Sequence, residues 1–419
     1  MLLSLSVARA DPVDTPSTFD QFANKFSASL VTQSYLQLNQ VAEGNANPGN
    51  RVAQLPNLNF TQELRPEFKF STDLLDLQIS PRATVQWNQI DQTDSRERGW
   101  SDSIYINAWR ARLMPTDSLT FSVGREVLLW GPAASYSPSN PFYLDNGQSN
   151  PNIELDGKDF AKAVWSYGNE WTLSYIDNYG RGHSVPPLLD TFHPTQVIKL
   201  DHTGANSYLS VNYASIQGAP DKLGFSAQMT VSDAWLVYAE GGYSTRRTQY
   251  RPSLGANGEW QFSAPQGGGL SGIGILGTAY TLPSRSTLTM EYINNNQGWS
   301  HGENAMYQSL TASAAGQIDT ANAGSAMQLL ARASQPDSIL LGKNYLFMQY
   351  FHPDLTPGMD LTLRLTRSLG DRSMRFTGIL EDRIGKRYSL FGQLTSDIGG
   401  MEFGSYIVQQ LTLGMRISF

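Results

Sequence analysis

The chain has 419 residues, 40% apolar and 16% charged, with 37 Gly, 19 Tyr, 18 Phe, 9 Trp, no Cys and a formal net charge of −7. An aromatic share of 11% is too high for a disordered chain, and the missing cysteines exclude disulfide scaffolds, thiol catalysis and cysteine-ligated zinc or iron–sulfur centres. A pI near 5.3 argues against nucleic acid as a partner, while a mean hydropathy of −0.33 fits either a soluble protein or a barrel whose lipid-facing residues are averaged against a polar lumen.

Residues 1–10 end in a small-x-small pattern at Ala8 and Ala10 after a short apolar stretch. This reads as the remnant of a signal peptide that lacks its basic n-region, which points to a truncated or misassigned start. Residues 11–26 are expected to form a short periplasmic segment and 27–419 a single domain. No later run reaches the roughly eighteen apolar residues of a membrane-spanning helix. Export without cysteines fits the periplasm, the outer membrane or the medium.

From residue 27 onward the dominant signal is period two. Leu75, Leu77, Ile79, Ala83, Val85 and Trp87 alternate with Asp76, Gln78, Ser80, Arg82, Thr84 and Gln86. The same holds for Leu223, Phe225, Ala227, Met229 and Val231 against their polar neighbours, and for Leu411, Leu413, Met415, Ile417 and Phe419 at the end. One face suits lipid and the other water. Candidate strands run over 27–39, 57–70, 75–90, 103–114, 119–130, 159–167, 170–178, 193–202, 206–217, 221–232, 234–248, 271–282, 286–297, 343–353, 359–370, 372–383, 386–397 and 406–419. Their number, about eighteen within a range of sixteen to eighteen, and their length suit transmembrane strands.

Connections of one parity are tight, as at Ser71–Leu74, Pro115–Ser118, Gly168–Glu170, Ser232–Asp233 and Gly385–Lys386. Those of the other parity are mostly long: 40–56, 91–102, 131–158, 179–192, 249–270 and 298–342. An antiparallel up-and-down barrel with short periplasmic turns and long external loops shows this two-sided bias, and a soluble sandwich does not. Tyr167, Trp171, Trp235, Tyr345 and Tyr388 are expected in an aromatic girdle at the short-turn end, and Trp87, Trp130 and Tyr243 in one at the long-loop end.

The last strand, Gly414-Met415-Arg416-Ile417-Ser418-Phe419, ends on an aromatic residue and resembles the C-terminal signature of Gram-negative outer-membrane barrels. That resemblance implies an integral, multi-pass outer-membrane location and recognition of the strand ending in Phe419 by the barrel-assembly machinery. A weaker resemblance lies in Ser122 to Pro132 followed by Ser137-Pro138-Ser139-Asn140-Pro141: a Gly-Arg strand end, Trp-Gly and an Asn-Pro loop are similar to segments of capsule-assembly and polysaccharide-export barrels.

Catalytic constellations are nearly absent. The five histidines lack metal-ligand spacing, and no nucleophile elbow or phosphate loop occurs, so no metal, cofactor or catalytic residue is expected. Gly272-x-Gly274-x-x-Gly277 runs within a candidate strand and reads as small residues on a barrel wall. Asp201-His202, a carboxylate beside a potential base, sits at a short turn, away from the outer face where barrel hydrolases work.

Alternation points Arg65, Arg82, Arg110, Arg112, Arg364, Arg375 and Arg416 into the lumen, where barrel closure merges them into one basic wall. Arg125, beside Glu126, joins them if a bulge at Gly124 shifts the register. Glu63, Glu67, Asp76, Glu126, Asp360 and Glu381 lie among them, so the same charges either brace the lumen or set up a field for anionic or dipolar solutes. The far wall carries few charges beyond Lys162, Glu240 and Glu291. Loop 131–158 offers Trp130, Tyr136, Phe142 and Tyr143 for stacking on sugar faces or for packing the loop itself. Loop 298–342 has helical patterning near Glu303 to Ile318 and Ala321 to Ala333, expected as a plug or lid.

The sequence therefore points to a porin-like channel for passive passage of small hydrophilic, anionic or sugar-like solutes. A surface-polysaccharide export or attachment barrel is the alternative, and an outer-membrane hydrolase the third reading. Expected partners are outer-membrane lipid and lipopolysaccharide, the assembly machinery, and a small solute or polysaccharide, with no nucleic acid.

Overall fold

The computed structural model describes residues 25–183, 192–247, 249–255, 260–263, 268–334, 340–399 and 402–419. The expected leader, 1–10, and residues 11–24 of the expected periplasmic segment lie outside the described residues. The first half of the chain forms β1 (Phe26–Val41), β2 (Leu58–Ser71), β3 (Leu75–Asp91), β4 (Arg96–Thr116), β5 (Leu119–Glu126), β6 (Lys158–Tyr167), β7 (Trp171–Gly180), β8 (Thr195–Thr203), β9 (Ser207–Ile216), β10 (Lys222–Ser232) and β11 (Trp235–Arg246). Then come β12 (Arg251–Leu254), β13 (Trp260–Ser263), β14 (Gly268–Thr281), β15 (Thr287–Asn295), α1 (His301–Ala315), α2 (Ala323–Ala333), β16 (Asn344–Thr356), β17 (Met359–Ser368), β18 (Met374–Ile384), β19 (Tyr388–Ile398) and β20 (Ile407–Ser418).

All but β12 and β13 belong to one 18-stranded antiparallel sheet in which neighbours in the chain pair, and β1 closes the circle by pairing with both β2 and β20. Closure leaves no open edge, which a sheet in hydrocarbon requires. The alternation then sorts the two faces. In β20, Leu413 is 50% exposed on the outside while its neighbour Thr412 is 4% exposed within. Among the described residues no helix is long and apolar enough to cross a membrane.

Four expectations need correction. The 91–102 link is not a loop: β3 and β4 continue as a hairpin, joined across the strands by an Arg96–Asp91 ion pair of 2.6 Å and an Arg98–Gln89 hydrogen bond of 3.0 Å. Residues 96–104 are exposed on both faces, so no apolar alternation marks them. The 249–270 link contains the β12–β13 hairpin. Tyr345 begins β16 at the long-loop end and is fully buried, so it is no girdle residue, whereas Tyr167, Trp171, Trp235 and Tyr388 are exposed at the short-turn end. Finally, β5 ends at Glu126, and Trp130 turns inward against Phe142, with their ring centroids 5.8 Å apart.

At the long-loop end α1 buries Tyr307 and Leu310 against Trp299 and the β12–β13 hairpin, while Leu330 of α2 packs with Ala314, Ile318 and Ala326. Ser300 and Glu303 form a reciprocal capping box that starts α1. The described residues of the 298–342 segment reach three other loops. Arg51 meets Asp319 at 2.8 Å, the Arg332 guanidinium lies 4.3 Å from the Tyr250 ring, and Glu402 accepts the Leu341 and Gly342 amides at 2.9 and 3.2 Å.

Candidate functional site

The lumen is organised by residues 127–157, which fold inward rather than out. Two buried carboxylates on the otherwise charge-poor wall hold the first part of this loop. Glu240 of β11, 0% exposed, accepts the Ala133 and Ser139 amides at 3.1 and 3.2 Å and the Ser137 and Ser139 hydroxyls at 3.0 and 2.7 Å. Glu291 of β15 accepts the Ala134 and Ser135 amides at 2.5 and 3.1 Å, the Ser135 hydroxyl, and the Tyr238 hydroxyl at 2.5 Å. A buried carboxylate is costly unless its lone pairs are satisfied, and a loop that presents several donors at once satisfies them. Gly224 and Gly242 leave the wall bare where the loop presses on it, since a Cβ at either would strike the Ser139 or Pro138 carbonyl.

The chain then returns to the wall of β6 to β9. There Phe142 and Tyr143, 7% and 8% exposed, pack with Phe160, Ile176, Val197 and Ala214. Burial closes both to a solute, so the expected stacking role is corrected to packing, and partly buried Trp130 belongs to the same cluster. Of the four aromatic candidates, Tyr136 borders the cavity described below; burial pushes its phenol up to about 12, so it stands there as a neutral hydroxyl.

The second part of the loop crosses to the basic wall. Asn152 O accepts from Gln33 Nε2 at 2.8 Å and Arg65 Nη2 at 3.3 Å, while its Oδ1 accepts from Arg416 Nη2 at 2.9 Å. Glu154 takes a two-pronged bond from Arg82, 2.6 and 2.8 Å, with Arg65 at 3.9 Å. Burial alone would raise the Glu154 carboxyl, but the bond from Arg82 and the charge of Arg65 outweigh it and hold the group below its ordinary value. Asn107, the extra residue of a β3–β4 bulge, donates to Leu155 O and accepts from Gly157 N, both at 3.3 Å.

The predicted arginines therefore sit inside, and most are occupied by acids. Arg65 pairs with Glu63, Arg110 with Asp76 at 2.7 Å and Glu126 at 3.5 Å, Arg112 with Asp76 at 3.8 Å, Arg375 with Asp397 at 2.8 Å, and Arg416 with Glu381 at 3.5 Å. Arg364 differs: it bonds Gln349 Oε1 at 2.7 Å and the Gln148 carbonyl, and among the described residues it makes no ion pair. Arg125 departs from the set. The β4–β5 register runs unbroken through Gly124, so Arg125 pairs with Trp109, on the opposite parity from Arg110, and its guanidinium bonds Asp159 at 2.8 Å. The Asp201-His202 pair also separates, Asp201 bonding the Tyr208 hydroxyl at 2.5 Å and His202 lying against Trp171.

Between the loop and the wall of β16 to β20 remains a cavity of about 270 Å³. Ser135, Tyr136, Ser149 and Asn150 line the loop side; Arg364, Arg375, Gln393 and Asp397 line the wall side. Sequence reading missed Gln33, Asn107, Asn152 and Glu154 as loop anchors. For Glu240 and Glu291 the signal was present: with Lys162 they stand among the few charges that the sequence places on that inner wall.

No protein-family model matches the chain, and no curated protein matches it. Among solved structures, Pseudomonas aeruginosa OccK5 (OpdH) superimposes with a TM-score of 0.54 at 9% identity, covering 95% of this chain and 99% of that one. A triple mutant of the Rhodopseudomonas blastica porin gives 0.44 at 11%, covering 94% and 100%. At 9% identity the OccK5 likeness speaks to the fold alone, and that fold is a porin-like barrel.

Proposed function

We propose that the chain is a passive channel in the outer membrane of a Gram-negative bacterium, passing small hydrophilic solutes with a preference for anionic or sugar-like ones. The observation that carries this reading is the loop pinned on both walls, which leaves a cavity of about 270 Å³ lined by Arg364, a guanidinium with no ion pair among the described residues. An 18-stranded barrel is wide enough for an aqueous lumen, and such a loop sets its cut-off. Positive charge in a low-dielectric throat concentrates anions. Bilayer lipid and lipopolysaccharide would cover the apolar outer face, and the assembly machinery would read the final strand.

The helical pair across the mouth favours a second reading, a gated barrel for export or attachment of a surface polysaccharide. Liposome swelling separates the two. Proteoliposomes swell in monosaccharides and small organic anions and stay rigid to oligosaccharides if the first reading holds; passage of long oligosaccharides after deletion of 298–342 would replace it with the second.

A further inference from the structure

The space beside β16 to β20 has the makings of a binding site as well as an aperture, and the two features that say so are independent of its size. The first is the charge of Arg364, which no acid within ion-pair distance answers among the described residues, although the Arg375 guanidinium close by is met on two nitrogens by Asp397 at 2.8 Å. The second is Gln393. Its side chain is 4% exposed, its amide nitrogen donates to Thr395 Oγ1 at 3.4 Å, and its Oε1 has no partner. A buried acceptor left unmade costs about 1–3 kcal/mol, so a donor arriving there recovers free energy.

The sheet register gives their spacing. Arg364 pairs across to Thr377 and Thr377 to Thr395, while Gln393 stands one inward step further along β19. Two inter-strand steps of about 4.8 Å and one step of about 6.8 Å put the two Cα atoms ~12 Å apart. Both residues line the cavity. The cavity, about 270 Å³, falls just under the size of drug-binding pockets, which begin at roughly 300 Å³. Tyr136 and Phe347 add apolar surface on its lining.

Resting on the channel reading and going beyond it, we infer that this cavity is a saturable binding site for a sugar acid, a hydroxylated carboxylate of monosaccharide size. Its carboxylate bonds the free guanidinium nitrogen of Arg364, and a hydroxyl at the far end donates to Gln393 Oε1. The charge confers affinity, and the orphan acceptor distinguishes a hydroxylated acid from a plain one, because a site built to pair a hydroxyl rejects the analogue that lacks it. A polymer has no room to sit in the cavity along its length.

The test is calorimetric titration of the detergent-solubilised full chain with sodium D-glucuronate, sodium acetate and glucose, which reads the site whether or not the barrel conducts. Glucuronate is expected to bind at least ten-fold more tightly than either acetate or glucose. Arg364→Gln should weaken glucuronate ten-fold or more, and Gln393→Leu should lower the glucuronate-to-acetate ratio while leaving acetate itself within two-fold. Circular dichroism of each variant confirms the barrel. Equal affinities for the three probes, or a ratio unmoved by Gln393→Leu, would overturn the site while leaving the channel reading intact. Glucuronate binding without solute flux would instead overturn the channel reading alone.

Discussion

Removing Glu240 should lift the loop off the wall. The carboxylate takes four bonds from Ala133, Ser137 and Ser139, and hydrogen bonds to a charged group contribute about 1.5–3 kcal/mol each, a gross sum of about 6–12 kcal/mol. Water from the lumen can solvate the freed donors and Glu291 still holds Ala134 and Ser135, so most of that sum is recovered. Single substitutions rarely exceed about 4–5 kcal/mol, and we expect about 3 kcal/mol for Glu240→Ala, which is somewhat over 100-fold in the detached population. The chain has no cysteine, so Ala133→Cys introduces a unique thiol at a position that is 4% exposed. In that background the rate of thiol modification should rise about 100-fold on adding Glu240→Ala, accompanied by larger single-channel conductance. An unchanged rate and conductance would refute the view that Glu240 pins the loop.

Gly242→Val should act on the same contact from the other side: its Cβ would strike the Pro138 carbonyl, so the loop shifts and conductance changes while circular dichroism still shows the barrel. The link between the helical cap and the β19–β20 loop should depend on pH. Burial pushes the Glu402 carboxyl up to about 7, Asp371 adds to the rise, and the bonds from Tyr345 and the Leu341 and Gly342 amides oppose it. A carboxyl raised above its unfolded value, about 4.3, favours the docked state when protonated, so docking is strongest in acid and weakens as pH rises towards 7. Hydrogen exchange at Leu341 and Gly342, corrected for intrinsic rate, should therefore quicken across that window in the native chain and stay flat in Glu402→Gln. Phe419→Asp should lower the amount assembled in the outer membrane. Phe419 closes the barrel through paired backbone bonds with Leu30, 2.9 and 3.3 Å, which survive the change, so refolding in detergent should still succeed.

The barrel itself was legible because alternation is a local property: in β10, β20 and most of β3, lipid on one side and water on the other impose period two on every residue. Where that constraint lapses, so does the signal. Residues 96–104 of β4 stand exposed on both faces, and nothing in their order distinguishes strand from loop. The loop 127–157 was legible in composition but not in direction. Its position depends on Glu240 and Glu291, more than 100 residues away in the chain for most of their bonds, and on glycines whose value lies in what presses against them. Alternation pointed the arginines inward, yet which of them is left without an ion pair depended on acids such as Glu154 and Asp397 that only folding brings near. Arg125 shows the converse, since its face hinged on a bulge that the β4–β5 pairing does not contain.

The central claim, a permanently open but narrow channel set by a pinned loop, is tested most directly by single-channel recording of the purified full chain in a planar bilayer. We expect a small, steady conductance in the native protein, with reversal potentials favouring chloride over potassium and a shift towards neutrality in Arg364→Ser. A barrel that stays closed until residues 298–342 are deleted, or a reversal potential unmoved by Arg364→Ser, would contradict it.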